Sequence, residues 1–471
     1  MQSIIKFLKL QKEKKLRLNS LFELVLVAFL IVLVFSTFYS KYRVSITPIK
    51  FIVAILRTII IPYFLIINML FEISIALLLG LLAGTFTGLS PGIHINLIAA
   101  LLTSSLTLSQ TIPAIALVVF IVSMSITHTF IDFIPSIFLG APEEDSFLSI
   151  LPGHQLLQRG EGHEAVLLTL YGSLLSLLII LIFIPIFIYL LPKISLLIAP
   201  LLPFILIFAS LYLIFREEEF LISLVVFLLA GFLGFLSLNL PINQPLLPLL
   251  TGLFGTSALL VSIKSKTSLP PQKIIPLFSL KISKLSLLKS FLSAALIAPF
   301  SSFLPGMGSG HAAVLASELS EKTHSNPRNF LFLVGAINTI IMALSFITIY
   351  SIDKTRTGSA VAVKEILKTI TKIDLSIIIA TIFISGFLAF ILGIKISKFI
   401  ALNINKINYT YLSISILLIL LIVNMLFSGL LGLIVLITAT SLGVFTILSK
   451  ARRINLMGAL LIPTILFYLV L

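Results

Sequence analysis

Of 471 residues, 59% are hydrophobic and only 10% are charged, against roughly 25% charged in an ordinary soluble chain; mean hydropathy is +1.21. A soluble protein this apolar could not cover its own surface with polar groups, which excludes a cytosolic globular enzyme. Lys and Arg outnumber Asp and Glu by 32 to 17, but no basic patch with interleaved aromatics occurs, so nucleic acid is excluded as a partner and the basic loops are read as facing membrane lipid headgroups.

The long apolar runs do not alternate as a membrane β-barrel requires. At about 25 residues per crossing, the chain reads as an all-α, polytopic helical membrane protein of about 11–14 segments. Lys6, Lys9, Lys12, Lys14, Lys15 and Arg17 precede the first run, Leu21–Ser40. It is too long for a signal-peptide core and no small-x-small cleavage site follows, so a retained first helix in the cell membrane with a cytoplasmic N-terminus is expected. Further segments are expected at Phe51–Phe71, Ile73–Leu89, Ile112–Leu139, Ala165–Leu190, Ile194–Phe215, Phe220–Leu238 and Leu246–Ile263. After the basic stretch 264–289, which carries six lysines and no acid and is therefore placed in the cytoplasm, come Leu287–Phe303, Asn329–Tyr350, Leu375–Leu392, Tyr411–Phe427, Leu430–Leu448 and Leu456–Leu471. The expected organisation is a basic tail with two leading helices (1–73), a first repeat (74–264), a linker (265–287) and a second repeat (288–471).

Two stretches, His94–Leu106 and His311–Leu319, follow Pro-Gly breaks and are too short to span about 30 Å. Helices starting at membrane depth are tolerated only inside protein or beside water, so both are expected to be re-entrant. They head two halves of similar order. Leu89-Ser90-Pro91-Gly92-Ile93-His94 corresponds to the segment from Phe303 to His311. A long helix with one polar position (His128, Asn338) and a Gly-containing helix (Gly172, Gly386) follow in each half, and 249–264 resembles 436–450. Two homologous halves are the expected reading. Paired interrupted segments point to a transporter binding site. A helix start at mid-membrane offers unpaired N–H groups and the positive end of its dipole, so it attracts anions.

At these residues the chain resembles the large membrane subunit of the tripartite tricarboxylate transporters. The resemblance rests on GLLAGTFTGLSPG (80–92), Gly140-Ala141-Pro142 with LPGHQLLQRGEGHEAV (151–166), FLPGMGSGHAAVLASELSEK (303–322) and LMGALLIPTILFYLV (456–470), within roughly residues 74–471. It implies a transporter of two related halves. Ser309-Gly310-His311 replaces a Gly-x-Gly-Pro-Thr pattern and the 351–374 loop is charged, which marks a divergent, archaeal-type member. The substrate and any dependence on a binding protein or small subunit therefore do not carry over.

The substrate-binding candidates are Pro91, Gly92, His94, Pro305, Gly306, Gly308, Ser309, Gly310, His311 and Asn338, against the plainer use of small residues in helix packing. His128 and Asp132 lie four apart, hence on one helix face, and are the candidate ion-coupling pair, because an intramembrane carboxylate is costly. Glu318 and Glu321 with Lys322, His324 and Arg328 read as a solvated loop mouth. Asp145, His154, Arg159, His163 and Glu164 are also read as mostly solvated, and Arg216-Glu217-Glu218-Glu219 as a water-exposed connection. No catalytic residue, metal or cofactor is expected: cysteine is absent, and no phosphate-binding loop or His-Glu-x-x-His pair occurs. The expected function is secondary transport of an anionic small molecule such as a carboxylate, driven by a proton or sodium gradient. The alternatives are a polyprenyl-phosphate translocase, with a lipid phosphate as ligand, and an intramembrane hydrolase using Ser309. A second copy of the chain, forming a homodimer, and a small partner subunit or binding protein are the candidate protein partners.

Overall fold

The computed structural model describes residues 61–90, 113–140, 150–264, 270–304, 308–319, 326–404, 409–449 and 451–470, apart from 216, 218, 243, 281 and 356. The basic N-terminus, Leu21–Ser40 and His94–Leu106 lie outside them. The chain divides after Glu72 into two units, and the account below concerns the second together with the helix from Ile61 that leads into it. Among the described residues every regular element is helical. Eight helices among the described residues are long and apolar enough to cross a membrane, which makes this a multi-pass membrane protein.

The first helix, α1 (Ile61–Leu89), is continuous. The break expected between Phe71 and Ile73 is absent, because a single Glu72 with no adjacent Gly or Pro does not stop a helix. Gly80, Gly84 and Gly88 recur every fourth residue and seat the backbone of α2 (Ala114–Ile131). Ser123 Oγ donates to the Leu77 carbonyl at 2.8 Å across the same seam. The expected Ile112–Leu139 segment is interrupted at Asp132, after which α3 (Phe133–Leu139) continues. Pro135 explains the break: it has no N–H to give the Ile131 carbonyl. Gly140, at φ 65°, then closes α3 with its N–H on the Pro135 carbonyl.

A short helix, α4 (Ile150–Leu157), packs Gly153 against Ile137 and leads through a tight turn into α5 (Gly162–Tyr189). Then come α6 (Leu191–Ile198), α7 (Leu202–Phe215), α8 (Phe220–Asn239), α9 (Leu246–Leu250) and α10 (Ser257–Lys264). Two expected continuous segments are therefore interrupted. Ile194–Phe215 carries a 3-10 turn at Ala199–Leu201, beside Pro200 and Pro203, and Leu246–Ile263 carries a π turn at Thr251–Thr256. The linker is pinned by a buried Gln272, which accepts from Gly162 N at 2.8 Å and donates to the Leu157 carbonyl at 3.1 Å.

The remaining helices are α11 (Lys284–Ser301), α12 (Ser309–Leu319), α13 (Pro327–Ile352), α14 (Gly358–Leu367), α15 (Lys372–Asn403), α16 (Tyr409–Leu448) and α17 (Gly458–Val470). Helix α14 stands where a polar loop was read at 351–374, and it buries Ser359, Ala360, Ala362 and Val363. The α16 run bends at Gly429 (φ 65°, ψ −164°), within the expected break between Phe427 and Leu430.

The largest helix–helix interface joins α5 to α13, and α2 packs on α15. Helix α13 is almost wholly enclosed, whereas α8, α15 and α16 turn residues such as Leu221, Phe232, Phe387 and Leu426 outward. An apolar surface of that extent suits lipid and not water. The 249–264 stretch lies against 436–450: Gly252 abuts Ala439, and the Thr256 and Thr440 hydroxyls meet at 2.5 Å.

Candidate functional site

The candidate site lies on α2, α3 and α13, the most enclosed helices of the bundle. Asp132 is fully buried at the α2–α3 junction, and Asn338 Nδ2 donates to its Oδ2 at 3.0 Å. Ser136 Oγ donates to the Asp132 carbonyl at 2.9 Å, holding the chain where Pro135 interrupts the helix. One turn earlier, His128 Nδ1 meets Thr87 Oγ1 of α1 at 3.0 Å. The Thr129 and Thr339 hydroxyls meet at 3.2 Å between α2 and α13. Three candidates from the sequence are thus gathered in one polar seam, although His128 and Asp132 engage different partners. A buried carboxylate that accepts from a neutral amide can hold a cation or exchange a proton; it also needs such a partner to be tolerated at all.

The second Pro-Gly element holds the other candidates from the sequence. Helix α12 has 11 residues, too few to cross, and is packed between α11 and α13. Ser309, Gly310, Ala312, Ala313, Ala316 and Ser317 are buried. The Gly308 carbonyl accepts from Ala312 N at 3.1 Å, and Gly308, Ser309 and Gly310 form the start of the helix. Pro305 and Gly306 lie outside the described residues, as do Pro91, Gly92, His94 and the His311 side chain. Asp145, Glu321, Lys322 and His324 lie outside them too.

Several residues read as solvated are buried. Asn326 caps α13 by accepting from Arg328 N at 3.0 Å, and Pro327 suits the first turn, so Arg328 is fixed at the helix start. There its guanidinium meets Glu161 Oε2 at 2.6 Å and Glu164 Oε1 at 2.9 Å, at the start of α5. The Glu164 side chain is 2% exposed. His163 is buried with Nδ1 at 2.9 Å from Ser397 Oγ, and the Glu217 side chain, 8% exposed, lies against Arg452. Arg328→Ala would leave two carboxylates without their cation. It is expected to cost about 3 kcal/mol, measured as a lower melting temperature in detergent, with Arg328→Lys intermediate because it lacks the two-pronged fork.

A family model described as the tripartite tricarboxylate transporter TctA family matches residues 74–458. An uncharacterized protein of Methanocaldococcus jannaschii is 32% identical over 360 residues, covering 74% of this chain and 88% of the relative. No solved structure matches.

Proposed function

Because the chain belongs to the TctA family of tripartite tricarboxylate transporters, we propose that it is a permease component carrying a carboxylate-bearing anion, driven by a proton or sodium gradient. The family is one of membrane transporter components and not of enzymes. The observation that carries the finer reading is the buried Asp132 bonded to Asn338 of α13. In lipid, such a carboxylate is a functional hypothesis by default. In this reading Asp132 and His128 take the coupling ion. Asn338 and the start of α12 (Gly308, Ser309, Gly310), with Pro305, Gly306 and His311 and the first-half Pro91, Gly92 and His94, hold the substrate.

The two halves are read as inverted repeats. Helix α5 starts where α3 ends, with Gly162 beside Phe138, and farther along both Leu177 of α5 and Ile126 of α2 lie at Gly386, so α2 and α5 run oppositely. Helix α5 runs with α13, from Glu164–Arg328 to Gly172–Phe332. The corresponding helices α2 and α13 are then antiparallel, as inversion requires. A small membrane subunit and a substrate-binding protein are the partners proposed from the family, and the N-terminus is placed in the cytoplasm.

The test is a thermal melt of the purified protein with citrate, succinate, inorganic phosphate or farnesyl phosphate. A ligand at about 100 times its Kd adds about 2.7 kcal/mol. Citrate or succinate is expected to raise the melting temperature of the wild type and not of Gly308→Leu. Stabilisation by farnesyl phosphate alone would transfer the reading to a lipid-phosphate carrier, and no shift with any of the four would refute the anion site.

A further inference from the structure

The most unusual charge in the second unit lies outside the seam described above. Arg453 opens the 3-10 turn Arg453–Met457 and is only partly exposed. Its Nη2 donates to the carbonyls of Leu253 (3.3 Å) and Phe254, and to Ser257 Oγ at 3.4 Å. Those carbonyls belong to the π turn, whose widened ladder turns backbone oxygens out of the helix. The guanidinium also lies 5.4 Å from the centre of the Phe254 ring. Every one of these partners is neutral, and Nε is buried with no acceptor. Burial alone lowers the Arg453 pKa to about 10, with no carboxylate acting on it.

The neighbouring Arg452 makes the contrast, because it pairs with Glu217 at 2.6 Å. Two residues beyond Arg453, Asn455 is buried with neither Oδ1 nor Nδ2 hydrogen-bonded. His154 of α4, the nearby titratable group, is held down at about 4 by burial and by the Arg453 charge, so it adds no second charge at neutral pH. The same 3-10 turn packs against α12, the short buried helix of the proposed substrate site. A largely enclosed cation with no counter-ion among the described residues is costly, and so is a buried donor left unsatisfied. Their persistence on one turn is explained by a ligand that supplies both negative charge and acceptors.

We propose that Arg453 and Asn455 form an oxyanion-binding site that takes a carboxylate of the transported substrate. The inference rests on the transporter reading but uses residues that reading does not. Arginine is suited to it, since its planar fork matches a carboxylate and it stays charged when buried. An anionic lipid headgroup presents the same chemistry, and the experiment separates the two sources.

The protein is reconstituted in phosphatidylcholine nanodiscs and titrated with citrate, for the wild type, Arg453→Gln and Asn455→Leu. Both variants are expected to weaken citrate binding at least tenfold. Asn455→Leu is expected to melt no lower than the wild type without citrate, because the Asn455 side chain makes no hydrogen bond to lose; a purely structural role predicts the opposite. Citrate affinity unchanged in both variants overturns the proposal and leaves the transporter reading intact. If the wild type binds no citrate, that reading fails for this probe, and a second arm decides the site. In phosphatidylglycerol nanodiscs a wild-type stabilisation lost in Arg453→Gln assigns the site to a lipid headgroup, whereas equal melts in both lipids for both proteins overturn it.

Discussion

Replacing Gly172 or Gly335 with alanine is expected to unfold the bundle at its largest interface. A Cβ at Gly172 would collide with the Phe332 carbonyl oxygen and stand 3.0 Å from Ala336 N; one at Gly335 would collide with the Thr169 carbonyl oxygen and stand 2.8 Å from its Cα. The obstacles are backbone atoms, so no rotamer change relieves them. Helix α5 and helix α13 must move apart, which breaks the Ser173 Oγ bond to the Gly335 carbonyl (3.0 Å) and strains the Arg328 contacts one end away. Overpacking a core costs about 1–3 kcal/mol where side chains can give, and here the cost is expected at or above the top of that range. The two substitutions should also be non-additive: once one has parted the helices, the second has room, so the double variant should melt close to the worse single. Additive losses would mean the glycines act separately, contrary to the close crossing. The readout is the melting temperature in detergent and the yield of monodisperse protein.

Much of the architecture was legible because a bilayer writes itself into composition. Apolar runs of about 20 residues must be helices, and the short α12 followed from the Pro-Gly break before it. Polar residues inside those runs, Asp132 and Asn338, stood out for the same reason. What periodicity cannot give is a partner, since it fixes a face and not what the face meets. Glu164 and Arg328 sit at helix starts next to polar loops and read as solvated, yet they are joined across 164 positions. Arg452 and Arg453 are adjacent and look alike in sequence; only the fold sets one against Glu217 and the other against π-turn carbonyls. The interruptions at Asp132 and Thr251 were missed because one proline, or one extra residue in a helical turn, leaves a hydropathy profile almost unchanged.

Asp132→Asn is expected to convert concentrative transport into mere equilibration. An asparagine at this position keeps an oxygen to accept from Asn338 Nδ2, so the seam between α2 and α13 persists and the folded protein should melt near the wild type. What it loses is the charge. A tenfold ion gradient is worth about 1.4 kcal/mol per ion moved, so one coupled ion supports about tenfold accumulation when the membrane potential is held at zero. In proteoliposomes carrying an imposed proton or sodium gradient, wild-type protein is expected to accumulate citrate by a factor of that order. The variant should bring it only to equal concentrations, while citrate–citrate counterflow, which needs no net ion movement, continues. Asn338→Ala should differ in kind, because it strips a hydrogen bond from a carboxylate that remains buried; it is expected to lower both stability and counterflow. If Asp132→Asn still concentrated citrate, the coupling charge would lie elsewhere, and the Asp132–Asn338 bond would be read as a structural tie between helices.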